Sequence, residues 1–411
     1  MSYPICEFVE REFSGLDPAD PQYAVRVVDR ILEEGRRRGA SDVHLQPAPD
    51  GLDLKLRIDG VLQPCGRFPQ RVAANIVGRL KVLADLLTYR VDVPQEGRIR
   101  AVEQDVEMRV TTFPTLHGER AVVRLFGGSQ RYRRLDDLGL PEDILTTLRR
   151  LLRATSGAIL VTGPAGSGKT TTVYACLREL ARDAEPQRSL VSVEDPIEVA
   201  VEGVSQSQID PKVDLDLATA IRFMLRQDPE VIMVGEIRDR ATAEAAFGAS
   251  LTGHLLLTTF HAGSAAEGIG RLLDMGIEPY LLRSGLLAIV CQRLLRALCC
   301  CAELTDAPEA RLGLPVGAVC VPAGCEVCAG TGYQGRFVVA EMLVPERTEL
   351  GRAILSRSDA ARLEQLAIQA GMVTRWERAC EAVRAGKTSP AEVRRVLGFN
   401  DPPPIGGVSQ G

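Results

Sequence analysis

The spacing of apolar residues along the chain changes character between its first and second thirds. Residues up to about 20 are rich in Pro, Asp and Gly and are expected to form a flexible lead-in. From Pro21, a good first-turn residue, Ala24, Val28, Ile31 and Leu32 recur at helical spacing until Gly35 and the run Arg36-Arg37-Arg38. That spacing predicts an amphipathic helix with a cationic end. Strict alternation follows in Leu52-Asp53-Leu54-Lys55-Leu56-Arg57-Ile58 and in Val106-Glu107-Met108-Arg109-Val110, with a further strand from Ala121 to Phe126 and turn signals between them. A helix followed by half-buried strands predicts a small α+β domain over 21–130.

A charged connector from Arg131 to Asp137 and a leucine-rich helix from Ile144 to Leu152 make up a linking segment, 131–153. Beyond it the strands read as buried and largely apolar: Ala158 to Thr162, Leu190 to Val193, Val231 to Val234 and Leu255 to Thr259, with helical patterns between them. This alternation predicts a parallel α/β sheet over 154–298, with a nucleotide site at the carboxyl ends of its strands. A cysteine-rich segment, 299–337, then interrupts the pattern. Helices over roughly 360–370, 375–385 and 390–397 form a C-terminal helical region within 338–400, and residues 401–411, with Pro402-Pro403-Pro404 and Gly406-Gly407, are expected to be a disordered tail. No internal period of the solenoid kind is present.

Composition narrows the function classes. A chain of 411 residues with 45% hydrophobic content has enough apolar side chains for two or three domains. A net charge of -5 and a pI near 5.7 disfavour a protein built mainly to neutralise phosphate backbones, so nucleic acid is not the expected partner. Only Lys55, Lys81, Lys169, Lys212 and Lys387 are lysines among the 49 cations, so single arginines carry little information by themselves. The N-terminus shows no basic region followed by an apolar run. Leu286 to Cys291 is among the longer apolar runs and falls far short of the roughly 18 residues of a membrane span. The chain is expected to be cytoplasmic, and its eleven cysteines then suggest thiols or a metal site rather than a disulfide framework.

The sharpest chemical signal is Gly163-Pro164-Ala165-Gly166-Ser167-Gly168-Lys169-Thr170, which follows the apolar strand and opens a helix near Lys169. Glycines let the backbone wrap so that its N–H groups and the helix N-terminus face phosphates. Lys169 reaches β and γ oxygens, and Thr170 can ligate magnesium, with Thr171 next in line. A second element, Val231-Ile232-Met233-Val234-Gly235-Glu236, is an apolar strand ending in an acid, which is expected beside the phosphate loop of the neighbouring strand and suited to orienting the attacking water. Glu194 and Asp195 end another strand, where they can polarise a magnesium-bound water, although in isolation an ordinary turn is the better account of them. Of four histidines, His254 and His261 bracket the strand after Glu236; His261 stands where a side chain can sense a γ-phosphate, whereas His254 is as readily structural.

Cysteines supply a third signal. Cys299-Cys300-Cys301 is followed after 23 residues by Cys325-Glu326-Val327-Cys328, whose C-x-x-C spacing suits a zinc knuckle. The first half is irregular, because Ala302 stands where a matching pair starting at Cys299 needs a cysteine. Cys299 with Cys301 completes a four-cysteine set, with Cys320 as the substitute and free structural thiols as the plain alternative. No open coordination position is implied, so a metal here would be a staple.

Taken together these motifs resemble the secretion and pilus-assembly ATPases of type II secretion systems, type IV pili and DNA-uptake pseudopili. The likeness rests on Gly39-Ala40-Ser41-Asp42-Val43-His44, Arg57-Ile58-Asp59-Gly60-Val61-Leu62, Gln95-Glu96-Gly97-Arg98, the phosphate loop, Val193-Glu194-Asp195-Pro196, Leu225-Arg226-Gln227-Asp228-Pro229, Gly235-Glu236-Ile237-Arg238-Asp239, Thr252-Gly253-His254, Gln292-Arg293-Leu294 and Gly332-Tyr333-Gln334-Gly335-Arg336. It implies a RecA-like P-loop core preceded by a PAS-like α+β domain, with a small zinc-binding insert and a helical C-terminus. It further implies a homohexamer binding ATP and magnesium at subunit interfaces. Arg109 and Arg124 from one subunit's first domain would complete the site of the next, and Arg222, Arg226, Arg238 and Arg336 match further arginines near the nucleotide. Glu236 would be the general base with Glu194 assisting at magnesium, and hydrolysis would drive an inner-membrane platform protein to which the ATPase is peripheral. Larger relatives carry an additional N-terminal domain, and this chain starts almost directly at the domain that follows. The cysteine insert favours assembly over the retraction motors, which usually lack it. Rival readings are a retraction ATPase, a zinc-containing nucleic-acid-dependent ATPase, which 4% aromatic content disfavours, and a hexameric scaffold that binds ATP without hydrolysing it.

Overall fold

The computed structural model describes residues 5–101, 106–125, 132–183, 188–210, 215–345 and 349–399. The chain forms two compact units, one comprising Met1–Gln130, Leu298–Glu303 and Val321–Gly335, the other Arg131–Ala297, Leu304–Cys320 and Arg336–Gly411. The cysteine-rich segment is therefore divided between the units, and the helix expected to link the domains belongs to the second. The tail expected over 401–411 lies outside the described residues, as do Met1 to Pro4 of the lead-in, Phe126 and Arg131.

In the first unit, α1 (Phe8–Phe13) lies inside the span expected as a free lead-in, but its apolar face is used. Phe8, Val9 and Phe13 are buried, and the Phe13 ring lies 5.4 Å from that of Phe68. Next come α2 (Tyr23–Arg37), β1 (Asp42–Ala48), β2 (Gly51–Ile58), β3 (Val61–Pro69), α3 (Gln70–Leu83), β4 (Gln95–Ala101), β5 (Val106–Thr115) and β6 (Gly118–Leu125). The strands form one antiparallel sheet in the order β3-β2-β1-β6-β5-β4. Alternation works as read: Leu52, Leu54 and Leu56 are buried with Val27, Ile31, Ile76 and Leu80 of α2 and α3. The turn between β2 and β3 is Asp59-Gly60, both with positive φ (49° and 81°), which twists a two-residue hairpin correctly.

One charged pair sits inside this unit. Lys81 of α3 is fully buried, and its Nζ donates to both carboxylate oxygens of Glu119 (2.8 and 3.0 Å) and to the Arg90 carbonyl (2.7 Å). Removing one partner strands a charge without solvent. We expect Lys81→Met to lower unfolding free energy by about 3–5 kcal/mol in urea titration, and a paired Lys81→Met/Glu119→Leu replacement to recover most of that loss.

The second unit begins with α4 (Glu142–Leu152), β7 (Gly157–Thr162), α5 (Lys169–Asp183), β8 (Leu190–Glu194), β9 (Ser205–Gln208), α6 (Leu217–Met224), β10 (Val231–Val234), α7 (Arg240–Leu251) and β11 (Leu255–Phe260). It continues through α8 (Ala265–Asp274), α9 (Pro279–Gly285), β12 (Leu286–Leu298), the short β13 (Glu303–Thr305) and β14 (Val319–Val321), β15 (Tyr333–Leu343), α10 (Glu349–Leu355), α11 (Ala360–Gln369), α12 (Arg375–Arg384) and α13 (Pro390–Leu397). Seven strands form a sheet ordered β15-β12-β7-β11-β10-β8-β9, parallel from β12 through β9. Continuous apolar strands result because both faces are covered. Ile159, Val161, Val231 and Met233 pack toward Leu148 of α4 and Leu177 of α5, while Leu160, Ile232 and Leu256 pack toward Phe247 of α7 and Ile269 of α8.

Buried carboxylates bind the C-terminal helices to this sheet. Glu341 of β15 accepts from Arg375 (2.7 Å) and from the N–H groups of Ala265 and Arg375, and Glu392 of α13 accepts from Arg296 of β12 (2.7 and 2.9 Å). Among the described residues no helix is long and apolar enough to cross a membrane.

Candidate functional site

Parallel strands joined by helical crossovers bring functional groups from distant parts of the sequence to one edge. Four carboxyl ends stand in a row: β7 leads into the phosphate loop, β11 ends before His261, β10 before Glu236, and β8 on Glu194. The expectation that Glu236 lies on the strand next to the phosphate loop is corrected by this order, since β11 separates the two. With about 4.8 Å per strand step, the loop and the acid stand about 10 Å apart, which leaves room for a phosphoryl group and a water. The largely apolar pattern of β10 and β11 carries no information about which neighbours which.

The loop from Gly163 to Gly168 is shaped by its glycines. Gly163 has φ of 147°, Gly166 of 74° and Gly168 of 88°. A Cβ on Gly163 would stand 2.5 Å from Ser167 Oγ and 2.6 Å from the Gln292 carbonyl oxygen, so only glycine closes the loop here. Pro164, Ala165 and Gly166 are exposed, while Ser167 is buried with its hydroxyl unpartnered among the described residues. Lys169 Nζ donates to the carbonyls of Gly163 and Pro164, 3.0 Å each, and burial pushes its pKa down, with Glu236 opposing and Arg293 adding to that shift. Lys169, Thr170, Thr171 and Thr172 occupy the first turn of α5, where backbone N–H groups lack helical partners. A glycine cradle, an unpartnered buried hydroxyl, a helix N-terminus and a desolvated ammonium together fit a phosphate chain.

Glu236 is fixed from both sides. His261 Nε2 lies 2.6 Å from its Oε1, and Arg238 Nε donates to its Oε2 at 2.5 Å, which raises the arginine's pKa. Backbone bonds hold the acid at this place: Gly235 N–H to the Val193 carbonyl (2.9 Å), Thr259 hydroxyl to the Gly235 carbonyl (2.8 Å) and Ile237 N–H to the Thr259 carbonyl (3.0 Å). His254 lies at the other end of β11, its Nδ1 within 3.0 Å of the Ala249 carbonyl, and takes no part.

Glu194 is 3% exposed and both its oxygens are engaged. Tyr174 donates to Oε2, and Ser192 (2.6 Å) and Gln206 (3.0 Å) donate to Oε1. Burial and the adjacent carboxylate push the Tyr174 phenol well above its usual range. These partners were not legible as site residues, because a polar residue within a helix (Tyr174 of α5) or a strand (Ser192 of β8, Gln206 of β9) carries no mark of what it faces.

The arginines separate into groups. Arg238 joins Glu236, whereas Arg222 and Arg226 are exposed on and just after α6, the Arg226 guanidinium 5.4 Å from the Phe223 ring. Arg336 is exposed on β15. Arg109 and Arg124 are in the first unit, cross-strand partners on β5 and β6, each held by an acid: Glu96 at 2.5 Å and Asp42 at 3.1 Å. Sequence reasoning gave no role to Gln292. It is 1% exposed, donates from Nε2 to the Ser167 carbonyl (2.7 Å) and accepts from the Thr172 hydroxyl (3.0 Å), clamping the phosphate loop to its helix. Its only signal was a polar residue directly after the apolar run Leu286 to Cys291, inside β12 rather than at its end.

In the first unit, Cys299, Cys301, Cys325 and Cys328 bring their sulfurs within 4.8 Å of one another. Cys299 to Cys325, Cys301 to Cys328 and Cys325 to Cys328 are each 3.8 Å. A tetrahedron with metal–sulfur bonds of about 2.3 Å has edges of about 3.8 Å, so the set fits zinc. Cys320, the substitute considered from sequence, is not in it. Although desolvation raises it, the Cys328 thiol is brought down to about 6 by N–H donors from Cys325 (3.1 Å) and Gly332 (3.2 Å) and by neighbouring thiols.

Residues 17–395 match the family model described as type II/IV secretion system protein. The chain is 41% identical over 391 residues to type II secretion system protein E of Aeromonas hydrophila, covering 93% of this chain and 77% of that one. It is 36% identical over 385 residues to the type IV pilus assembly ATPase PilB of Thermus thermophilus, covering 91% of this chain and 43% of that one. In fold it is similar to the ATPase DotB of Yersinia pseudotuberculosis, with a TM-score of 0.68 at 21% identity over 97% of this chain and 99% of that one. The pilus retraction motor PilT with bound ADP gives a TM-score of 0.55 at 24% identity over 85% and 96%. These two structural likenesses concern the fold alone.

Proposed function

Since the chain belongs to the type II/IV secretion system protein family, we propose that it hydrolyses ATP to drive assembly of a type II secretion pseudopilus or a type IV pilus. It works as a homohexamer, peripheral to the cytoplasmic face of the inner membrane, on a platform protein in that membrane. The observation that carries this reading is the Glu236 carboxylate, bonded to His261 and Arg238 in the same row of strand ends as the phosphate loop. A mere nucleotide-binding scaffold has no use for an oriented base.

In this reading Gly163 to Thr171 wrap the phosphates, Lys169 exchanges its loop carbonyls for phosphate oxygens, and Thr170 would hold magnesium, which would neutralise phosphate charge. Glu236 accepts the proton of the attacking water, and His261 and Arg238, released from it, turn to the γ-phosphate. Glu194, whose oxygens already accept from Tyr174, Ser192 and Gln206, is held in place by them and would assist at the magnesium. Arg109 and Arg124 arrive from a neighbouring subunit, with Arg222, Arg226 and Arg336 near the shared interface, where guanidinium groups balance charge on the transferred phosphoryl group. Cys299, Cys301, Cys325 and Cys328 hold a structural zinc.

Lys169→Ala tests the assignment. Losing a charge-assisted contact worth about 3 kcal/mol should weaken binding of a fluorescent Mg-ADP analogue about a hundredfold and abolish phosphate release. Unchanged turnover in that variant sinks the reading.

A further inference from the structure

The phosphate loop rests on a second buried cation that the catalytic roles above leave unused. Arg293 follows Gln292 on β12 and is only 8% exposed. Its Nη1 donates to the Gln292 carbonyl at 3.0 Å and approaches Cys291 Sγ at 3.6 Å, and its Nη2 donates to the Gly263 carbonyl at 2.7 Å. Among the described residues no carboxylate lies within ion-pair distance of it, whereas the half-buried Arg296 and Arg375 are each matched to a buried glutamate; the other buried arginine, Arg394, also bonds carbonyls but lies far from the phosphate loop in sequence, on α13. A guanidinium taken out of water without a counter-charge is costly, and an anion arriving beside it would offset that cost.

Its contacts reach two parts of the site at once. Through the Gln292 carbonyl, which abuts Gly163, and through the Gln292 side chain, which grips Ser167 and Thr172, it touches the phosphate loop. Through Gly263 it touches the loop that carries His261. That loop is held by further bonds, from Arg271 to the His261 carbonyl and from the Gly263 N–H to Glu267 (2.8 Å), so the positions of Gly263 and His261 are tied together.

We propose that Arg293 is a positioning residue that balances the phosphate charge from beneath the loop and sets the His261 segment against Glu236. Its charge serves nucleotide affinity, while its two-carbonyl clamp serves the geometry of turnover. The proposal rests on the nucleotide-site reading given above.

The two functions separate by substitution. Arg293→Met removes charge and clamp: binding of Mg-ADP, followed by titration calorimetry, should weaken at least about tenfold, and the rise in melting temperature on adding Mg-ADP should shrink, while the nucleotide-free protein melts no lower than wild type because a buried unpaired charge has been removed. Arg293→Lys keeps the charge and loses the planar fork, so Mg-ADP affinity and KM should stay near wild type while kcat falls about tenfold or more. If Arg293→Met does not fold, Arg293→Lys alone decides through its KM-against-kcat split. Wild-type Mg-ADP affinity in Arg293→Met, or KM and kcat both unchanged in Arg293→Lys, overturns the proposal. Lys169→Ala, run alongside, keeps the two readings apart. Loss of nucleotide in Lys169→Ala with full affinity in Arg293→Met rejects only the role of Arg293. Full affinity in both rejects the nucleotide site itself.

Discussion

Glu236→Gln is expected to bind Mg-ATP as wild type does and to release phosphate about a hundredfold to ten-thousandfold more slowly, the range that general-base catalysis supplies. The amide has the shape of the carboxylate, so it keeps an acceptor for Arg238, now 2.5 Å from Oε2, and a polar partner for His261, 2.6 Å from Oε1. What it loses is the ability to take a proton from water. Affinity should persist because the phosphate chain is held mainly by the loop and Lys169, two strand steps away across β11. Single-turnover phosphate release separates the chemical step from product loss. A normal rate in this variant would mean that the acid only organises His261 and Arg238, and the base would have to be sought elsewhere.

The cysteine cluster carries the second large effect. Cys328→Ser should purify without the single zinc per chain that elemental analysis is expected to find in wild type, and the segments around 299–303 and 321–332 should become open to protease. Structural four-cysteine sites bind zinc with about 10–16 kcal/mol, and much of that energy is folding energy for a segment with little core of its own. Chelation of the wild-type protein should reproduce the effect. The set is specific enough to be tested by controls: Cys320→Ser and Cys300→Ser lie outside the four clustered sulfurs and should retain the metal. Zinc-free wild-type protein of unchanged stability would reduce the cluster to free thiols. Cys328→Ser with full zinc would move the site elsewhere.

Both effects rest on residues that could be named from sequence, and the reason is local. The phosphate loop is legible because glycine spacing, lysine and a following helix are all set within a few residues by backbone sterics and helix-end chemistry. The strands β7, β8, β10 and β11 and the helices α11 to α13 were readable for the same reason, their periodicity being a property of neighbours in the chain. By contrast α1, α3 and the strands β1, β3, β4, β9, β12 and β15 escaped. The apolar face of α1 meets β3 more than 50 residues on, and the run at Leu286 was noticed only as too short to span a membrane.

The sequence by itself determined that this chain carries a phosphate loop on a parallel sheet, an acid and a histidine on separate strand ends, and cysteines of metal-binding type. Only the tertiary structure decided that β11 lies between loop and acid, that Cys301 rather than Cys320 completes the sulfur set, that Lys81 finds Glu119, and that Gln292 closes on Ser167 across 125 residues. The physical reason is that strand order, buried charge pairing and cluster membership are contacts between distant segments. They are selected by the packing of the whole core, and no local spacing encodes which distant partner fills a given place.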